Sequence, residues 1–590
     1  MPLISRITPT TWLSLRVLRA IRGSCFVGEG VRSPGYLKSV VRSLLCVSVA
    51  IPLFRPVPAE QAARSPIHFV PRPIAFALDS CETPERRAPE TMAGGVAVFD
   101  YDGDGYPDIF FANGADIVTL KKTSSKYSNR LFHNNGDGTF TDVTEKAGLA
   151  GTGYDTGIAI GDYDNDGYED IFVGGVHRNT LYHNNRDGTF TDVTEKAGLA
   201  RPDKEFGPLW SVGAAWVDIN NDGQLDLFVV NYLSWNEKKE PPCSFQGRPE
   251  YCHPKYYKET PNQLFLNNGS GTFTDISAPS GIRAYPGKGM GVGVADYDGD
   301  GLPDIFVTND KLFNFLFHNK GDNKFEEVAF ETSVALSEHG NLISGMGVAF
   351  RDLNNDGFPD IAMVALENET FPIYRNDGKG AFAEVTAQSG MAALSNPMAG
   401  YSPNVGDFDN DGWKDLFVSR GHVQSPNMSS RTSIDQPNTV FRNLGEGEWS
   451  ALTAEAGFTA LPPRRHRGAA VADFNHDGKL DLVVTALSAP AEIWMNDSPN
   501  SNHWIGLALE GTKSNRDGIG ARIKISAGGQ TQYDQLSHAA GYASSSAGPV
   551  HFGLGAAGTA AEIEIRWPSG TRQVLKDVAA DRVVRIKEAR

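Results

Sequence analysis

The chain has 590 residues, 40% of them hydrophobic and 21% charged, a globular composition long enough for several domains or one large repeat architecture. Its 54 Lys and Arg against 71 Asp and Glu leave a formal net charge of −17, and beyond the first ~55 residues no basic cluster interleaved with aromatics would attract a phosphate backbone, so nucleic acid is excluded as the natural partner. The 63 Gly and 34 Pro favour many short strands joined by turns over long helices.

In chain order, residues 1–42 carry Arg6, Arg16, Arg19, Arg22, Arg32, Lys38 and Arg42 against the single acid Glu29. The twelve mostly apolar residues SLLCVSVAIPLF (43–54) that follow are too few to span a bilayer, so no stable membrane span is expected. The small residues of VPAEQAA (57–63) complete the pattern of a secretory signal cleaved near Ala59 or Ala63. The long basic lead leaves a mitochondrial-type presequence as the alternative, and Leu45 before Cys46 argues against a lipoprotein box. Residues 1–63 are therefore set aside as a signal or targeting segment, and a secreted, periplasmic or cell-surface location is expected.

Three cysteines remain, Cys81, Cys243 and Cys252. The stretch CSFQGRPEYC (243–252) encloses eight residues in a Pro-flanked loop, a spacing suited to a local disulfide between Cys243 and Cys252 in an oxidising compartment. Two free thiols, or a zinc pair with His253, are the alternatives.

An acidic cluster recurs seven times: DYDGDGYPDIFF (100–111), DYDNDGYEDIFV (162–173), DINNDGQLDLFV (218–229), DYDGDGLPDIFV (296–307), DLNNDGFPDIAM (352–363), DFDNDGWKDLFV (407–418) and DFNHDGKLDLVV (473–484). A second motif of the form LFHNNGDGTFTDVT (131–144) follows each copy, and the seventh breaks off after IWMND (493–497). Each unit reads as four strands, GGVAVFD (94–100), DIFFANG (108–114), RLFHNN (130–135) and TFTDVT (139–144) in the first. Seven such units over residues 64–498 predict an all-β, seven-bladed propeller, with a solenoid as runner-up. The last unit lacks a fourth strand, and IHFVPRPIAFALD (67–79) alternates in the same way, so this N-terminal strand is expected to complete the last blade.

The spacing D-x-[DN]-x-D-G-x-x-D puts oxygen ligands at positions 1, 3, 5 and 9, with Gly at 6 for the sharp turn. The candidate ligands are Asp100, Asp102, Asp104 and Asp108; Asp162, Asp164, Asp166 and Asp170; Asp218, Asn220, Asp222 and Asp226; Asp296, Asp298, Asp300 and Asp304; Asp352, Asn354, Asp356 and Asp360; Asp407, Asp409, Asp411 and Asp415; and Asp473, Asn475, Asp477 and Asp481. Hard oxygen donors without His or Cys suit Ca2+, in up to seven sites. An EF-hand is excluded, because position 12 is apolar in every copy where that motif needs a glutamate. Seven Ca2+ would add +14 to −17 and leave about −3, so much of the acidity reads as ligand.

These loops resemble the FG-GAP (VCBS-type) repeats of integrin α-subunit propellers. The C-terminal stretches NRDGIGARIKISAGGQTQYDQL (515–536), GYASSSAGPVHFGLG (541–555) and EIEIRWPSGTRQVL (562–575) resemble the ASPIC/UnbV domain that follows such repeats in the cartilage acidic protein 1 family. The resemblance implies a calcium-dependent, extracellular, adhesion-like role, with weaker sites where Asn220, Asn354 and Asn475 replace aspartate. Read from its residues alone, 499–590 is a small β-sandwich, with strands over 503–509, 521–526, 559–567, 572–575 and 582–587. GLGAAG (553–558) is followed by a strand rather than a helix and does not read as a dinucleotide site.

No G-x-S-x-G, H-E-x-x-H or P-loop is present, and His133, His183 and His318 recur with the blade motif, which assigns them to structure rather than catalysis. Two insertions, 231–261 with Trp235, Phe245, Tyr251, Tyr256 and Tyr257, and 421–437, are the expected contact surfaces. The expected function is noncatalytic binding of an extracellular glycan or protein; an enzyme acting on a polysaccharide or another secreted substrate in the propeller funnel is the alternative.

Overall fold

The computed structural model describes residues 65–425 and 433–590, so the expected signal segment and part of the second insertion lie outside the described residues. In the first repeat the apolar run Val96–Phe99 is wholly buried and pairs antiparallel with Asp108–Phe111 across the acidic turn. Arg130–Asn134 and Phe140–Asp142 follow as third and fourth strands. Thr144–Ala147 then forms one helical turn that the strand pattern did not anticipate. Asp142 Oδ1 accepts from Thr144 N (3.0 Å) and Thr144 Oγ1 (2.5 Å), and Gly148 ends the turn at φ 75°.

Seven such sets of four antiparallel strands are present among the described residues, six as separate four-stranded sheets and the first as part of a six-stranded one. Their first strands, Val96–Phe99, Asp155–Gly161, Ser211–Val217, Gly289–Ala295, Val348–Arg351, Gly400–Gly406 and His466–Ala472, adjoin one another in turn, and the last adjoins the first. The sheets thus radiate from a closed circle, the arrangement of a β-propeller. The circle is tight enough that a Cβ on Gly157 would stand 2.3 Å from the Val212 carbonyl oxygen, and one on Gly468 the same distance from that of Gly94. Only glycine fits where neighbouring inner strands approach so closely. The seventh sheet takes its fourth strand from Phe69–Ala77, which pairs antiparallel with Pro490–Asn496, so hydrogen bonds between the two ends of the repeat region close the circle.

The C-terminal residues form two facing sheets. One comprises Val550–Gly555, His503–Glu510 and Arg582–Lys587; the other comprises Gln530–Gln535, Arg522–Ala527, Thr559–Arg566 and Arg572–Ala579. Ile505, Leu507, Ile523, Ile525, Phe552, Ile563, Ile565 and Trp567 form the core between them. Most of GLGAAG lies on and just beyond a strand, so it has no helix N-terminus to offer a phosphate.

The sequence reading treats 499–590 as a domain that follows the propeller, but the structure interlocks the two. Between the sandwich strands, residues 537–547 leave the sandwich and enter the propeller's centre. Ser544–Ser546 lies parallel to Val96–Phe99 as an added strand. Val348 N donates to Gly541 O (3.2 Å), Ile158 N to Ala543 O (3.0 Å), Ile160 N to Ser545 Oγ (3.2 Å) and Val471 N to Ser546 Oγ (3.1 Å). Tyr542 is fully buried, its hydroxyl donating to Met92 O at 2.7 Å. Small serine and glycine residues suit a segment that must satisfy inner-strand groups facing the axis, because a buried N–H left without an acceptor is costly.

Candidate metal centres

Each acidic turn joins the first strand of its blade to the second, so all seven lie on one face of the ring. The first aspartate folds its turn around itself: Asp100 accepts from Gly103 N and Gly105 N (2.9 Å each), and Asp407 from Asp411 N (3.0 Å) and Gly412 N (2.7 Å). Position 4 has positive φ in every copy and is Gly103, Asn165, Asn221, Gly299, Asn355, Asn410 or His476. This regularity is not legible as a residue pattern, because it alternates between residue types that share only tolerance of the left-handed region.

The ninth-position aspartates are buried at the head of the second strand. Asp108 Oδ2 accepts from Tyr101 N (3.1 Å) and its Oδ1 from Asn134 N (2.8 Å); Asp360 receives the same pair from Leu353 and Asn376. Asn134 Nδ2 in turn reaches Phe474 O of the preceding blade (2.9 Å). The same residue of every repeat does likewise: Asn184 to Tyr101 O, Asn267 to Tyr163 O, Asn319 to Ile219 O, Asn376 to Tyr297 O, Asn443 to Leu353 O and Asn496 to Phe408 O, all at 2.8–2.9 Å. The acidic turns are therefore tied blade to blade around the circle.

Electrostatically the turns are under-compensated. Burial pushes the Asp108 carboxyl up to about 8 against the pull of two backbone N–H donors, with Asp102 and Asp100 adding repulsion. Burial likewise raises Asp162 to about 8, with Asp517 the largest charge acting on it, and Asp304 to about 7. Ligand-capable oxygens of Asp100, Asp102 and Asp108 lie within 4.8 Å of one another. Of these three only Asp108 is buried, Asp100 being half-buried and Asp102 exposed; a buried carboxylate with two others this close calls for a proton or a cation, and oxygen-only donors fit a hard divalent ion.

The third strand partly answers this charge in a way the sequence reading missed. His133 Nδ1 lies 3.3 Å from Asp108 Oδ1 and 3.5 Å from Asp102 Oδ2, and His183 and His318 stand over the second and fourth turns. In the sixth blade Arg442 occupies this place, its Nε 2.8 Å from Asp409 and a terminal nitrogen 2.7 Å from Asp411. Where position 3 is Asn, the amide instead donates to the neighbouring aspartate: Asn220 to Asp222 (3.0 Å), Asn354 to Asp356 (2.9 Å) and Asn475 to Asp477 (3.1 Å). Each four-carboxylate turn thus has an imidazole or guanidinium above it, and each three-carboxylate turn carries a neutral amide within it.

A model of the FG-GAP-like repeat matches residues 100–173, 162–229, 256–307, 296–363, 352–418 and 429–484, more than half of the chain. The chain belongs to the FG-GAP-like repeat family. A model described as ASPIC and UnbV matches residues 511–590 of this FG-GAP protein. It is similar to Cartilage acidic protein 1 of Homo sapiens, with 26% identity over 519 residues covering 83% of this chain and 71% of that protein. The Xenopus tropicalis protein of the same name is 25% identical over 503 residues, covering 82% and 71%. A solved structure of an Agrocybe aegerita lectin, described as recognising non-reducing terminal N-acetylglucosamine, is 17% identical, covers 68% of this chain and 87% of that one, and has a TM-score of 0.39.

The C-terminal sandwich rests on the acidic face of the FG-GAP ring: Lys414 Nζ donates to Tyr533 O (2.7 Å), Gln530 to Gly412 O (3.0 Å), and Arg522 pairs with Asp296 (3.0 Å). Both insertions leave from the far ends of second strands, on the opposite face. Cys243 and Cys252 are joined by a disulfide there, and Cys81 is a free cysteine. The aromatic contact surface expected of 231–261 is corrected. Trp235 and Tyr257 are buried, both donating to Glu240, and Tyr251 donates to Glu90; only Tyr256, of the five, is exposed. The two insertions meet where Ser425 donates through its hydroxyl (2.6 Å) and backbone (3.0 Å) to Glu250. No helix among the described residues is long and apolar enough to cross a membrane.

Proposed function

We propose that this protein is a calcium-loaded, noncatalytic binding propeller that works in a secreted, periplasmic or cell-surface setting on a glycan or protein ligand. The observation that carries the reading is the circle of acidic turns, whose first and ninth carboxylates are held by backbone donors, the ninth buried in all seven turns and the first in five, with too little positive charge around them. Asp100, Asp102, Asp104 and Asp108, and their counterparts in the other six turns, would hold the ions. The sixth turn differs, since Arg442 already pairs with Asp409 and Asp411 and must swing aside before a cation enters.

The filled centre supports binding over catalysis: residues 537–547 take up the funnel in which a multi-blade catalytic site would sit, and the sandwich covers its acidic mouth. Ligand contact is then assigned to the opposite face as a whole, to which the disulfide-braced insertion contributes Tyr256 as its one exposed aromatic of the five. Melting in excess EGTA tests the metal reading. A site holding ion at 100 times its Kd adds ~2.7 kcal/mol to the folded form, so several sites together should lower the melting temperature substantially on chelation; an unchanged curve would refute it. A glycan and protein array, with and without calcium, tests the rest, binding without turnover being expected and product release overturning it.

A further inference from the structure

Glu169 departs from its own repeat. The residue before the ninth-position aspartate is Pro107, Leu225, Pro303, Pro359, Lys414 or Leu480 in the other six turns, so the second alone places an acid there. That acid faces the C-terminal sandwich. One ligand-capable atom each from Glu169, Asp517 and His538 lies within 4.8 Å of the other two. Glu169 Oε2 is buried and has no hydrogen-bond partner. Asp517 gives one oxygen to the backbone N–H of Asp162 at 2.9 Å. His538 is 6% exposed, and its Nδ1 lies 3.1 Å from the Ile160 carbonyl oxygen. A carbonyl can only accept, so Nδ1 carries a proton, and in the neutral imidazole Nε2 then keeps the lone pair. A backbone carbonyl fixing one ring nitrogen is also how a metal-binding imidazole is oriented.

The positive groups within reach are committed elsewhere. Arg516 pairs with Glu510 (3.1 Å), and Arg351 with Asp534 (2.9 Å) and the carbonyls of Gln535 and Ser537. Two carboxylates and a neutral imidazole therefore converge with no cation among them. The donor set differs from the all-oxygen turns: imidazole nitrogen shifts preference from calcium toward first-row transition ions. Glu169 and Asp517 are only part-buried, which leaves an ion a way in.

We propose that Glu169, Asp517 and His538 form a site for one divalent transition-metal ion, which pins the C-terminal sandwich to the second blade. The site does not depend on the calcium reading. The test uses the full chain, stripped with chelator and then held in saturating calcium so that the acidic turns are taken, with Zn2+ as the probe. Calorimetric titration is expected to give one tight zinc equivalent, and diffraction at the zinc edge an anomalous peak between the three side chains. Glu169→Gln and His538→Asn should each weaken that equivalent by at least ~10-fold, the loss that removal of even an outer-shell partner brings. If His538→Asn fails to fold, Glu169→Gln decides alone, since uncharged residues occupy its position in five other turns. No anomalous peak at the three side chains, or wild-type zinc affinity in Glu169→Gln, overturns the proposal.

Discussion

Asn376 uses its whole side chain. Nδ2 donates to Tyr297 O (2.8 Å) in the preceding blade and to Pro359 O (3.2 Å) in its own, while Oδ1 accepts from Gly378 N (2.9 Å), with the residue 1% exposed. Asn376→Ala would leave two buried carbonyls, Tyr297 O and Pro359 O, and the part-buried Gly378 N without this partner, a buried group costing ~1–3 kcal/mol where water cannot enter. Differential scanning fluorimetry in saturating calcium should therefore register a drop of several degrees. Asn376→Asp should fall further, since a carboxylate would oppose the Tyr297 carbonyl; unchanged melting in both variants would dismiss the inter-blade tie. The asparagine itself recurs in each copy of the second motif, as in IYRND (373–377), but its role is not legible there. Its partner lies 79 residues away in Tyr297, and local spacing carries no trace of such a contact. The acidic turns were legible because all their candidate ligands sit within nine consecutive positions. His133 and Arg442 were not, because the third strand brings them over the turn only after the sheet has formed.

At the scale of elements, the alternating strands and the Gly-containing turns announced four strands per repeat, and the alternation of 67–79 announced the closing strand. The segment SHAAGYASSSAG (537–548) shares in the ASPIC/UnbV resemblance but gives no sign of its place in the fold, since small residues without apolar periodicity read as loop. Its meaning appears only against the inner strands it fills. Gly541 has φ +51°, and a Cβ there would stand 2.0 Å from Ser402 Oγ and 2.8 Å from Pro403 O. Gly541→Val meets both the strained backbone and this wall, so the segment should fail to seat. Limited proteolysis should then cut between 537 and 547 in the variant and spare the wild type; equal resistance would show that the segment tolerates a side chain at the axis.

At the scale of the whole molecule, the ring and the sandwich act as one body across a seam that should respond to acid. His551 stacks beside Trp504 (ring centroids 5.8 Å) and donates from Nε2 to Gly478 O (3.1 Å), and burial holds its imidazole down at about 4. A chain with the seam opened takes up that proton near the ordinary 6.5, whereas the docked chain does not until about 4. The seam therefore keeps its full stability above pH ~6.5 and loses up to ~3 kcal/mol as the pH falls to ~4. In saturating calcium, His551→Gln should flatten the decline in melting temperature over that interval, and a slope identical to wild type would remove His551 from the account. The central segment has one more consequence, for biosynthesis. The first blade's strands leave the ribosome some 400 residues before Gly541 does, so the axis stays unfilled through almost the whole of translation. A polypeptide whose elongation stalls after the last blade has every blade but neither the sandwich nor the stopper, and its inner amides at Ile158 and Val348 are left to water. Locking of the ring is thereby deferred until residues 537–547 have been made.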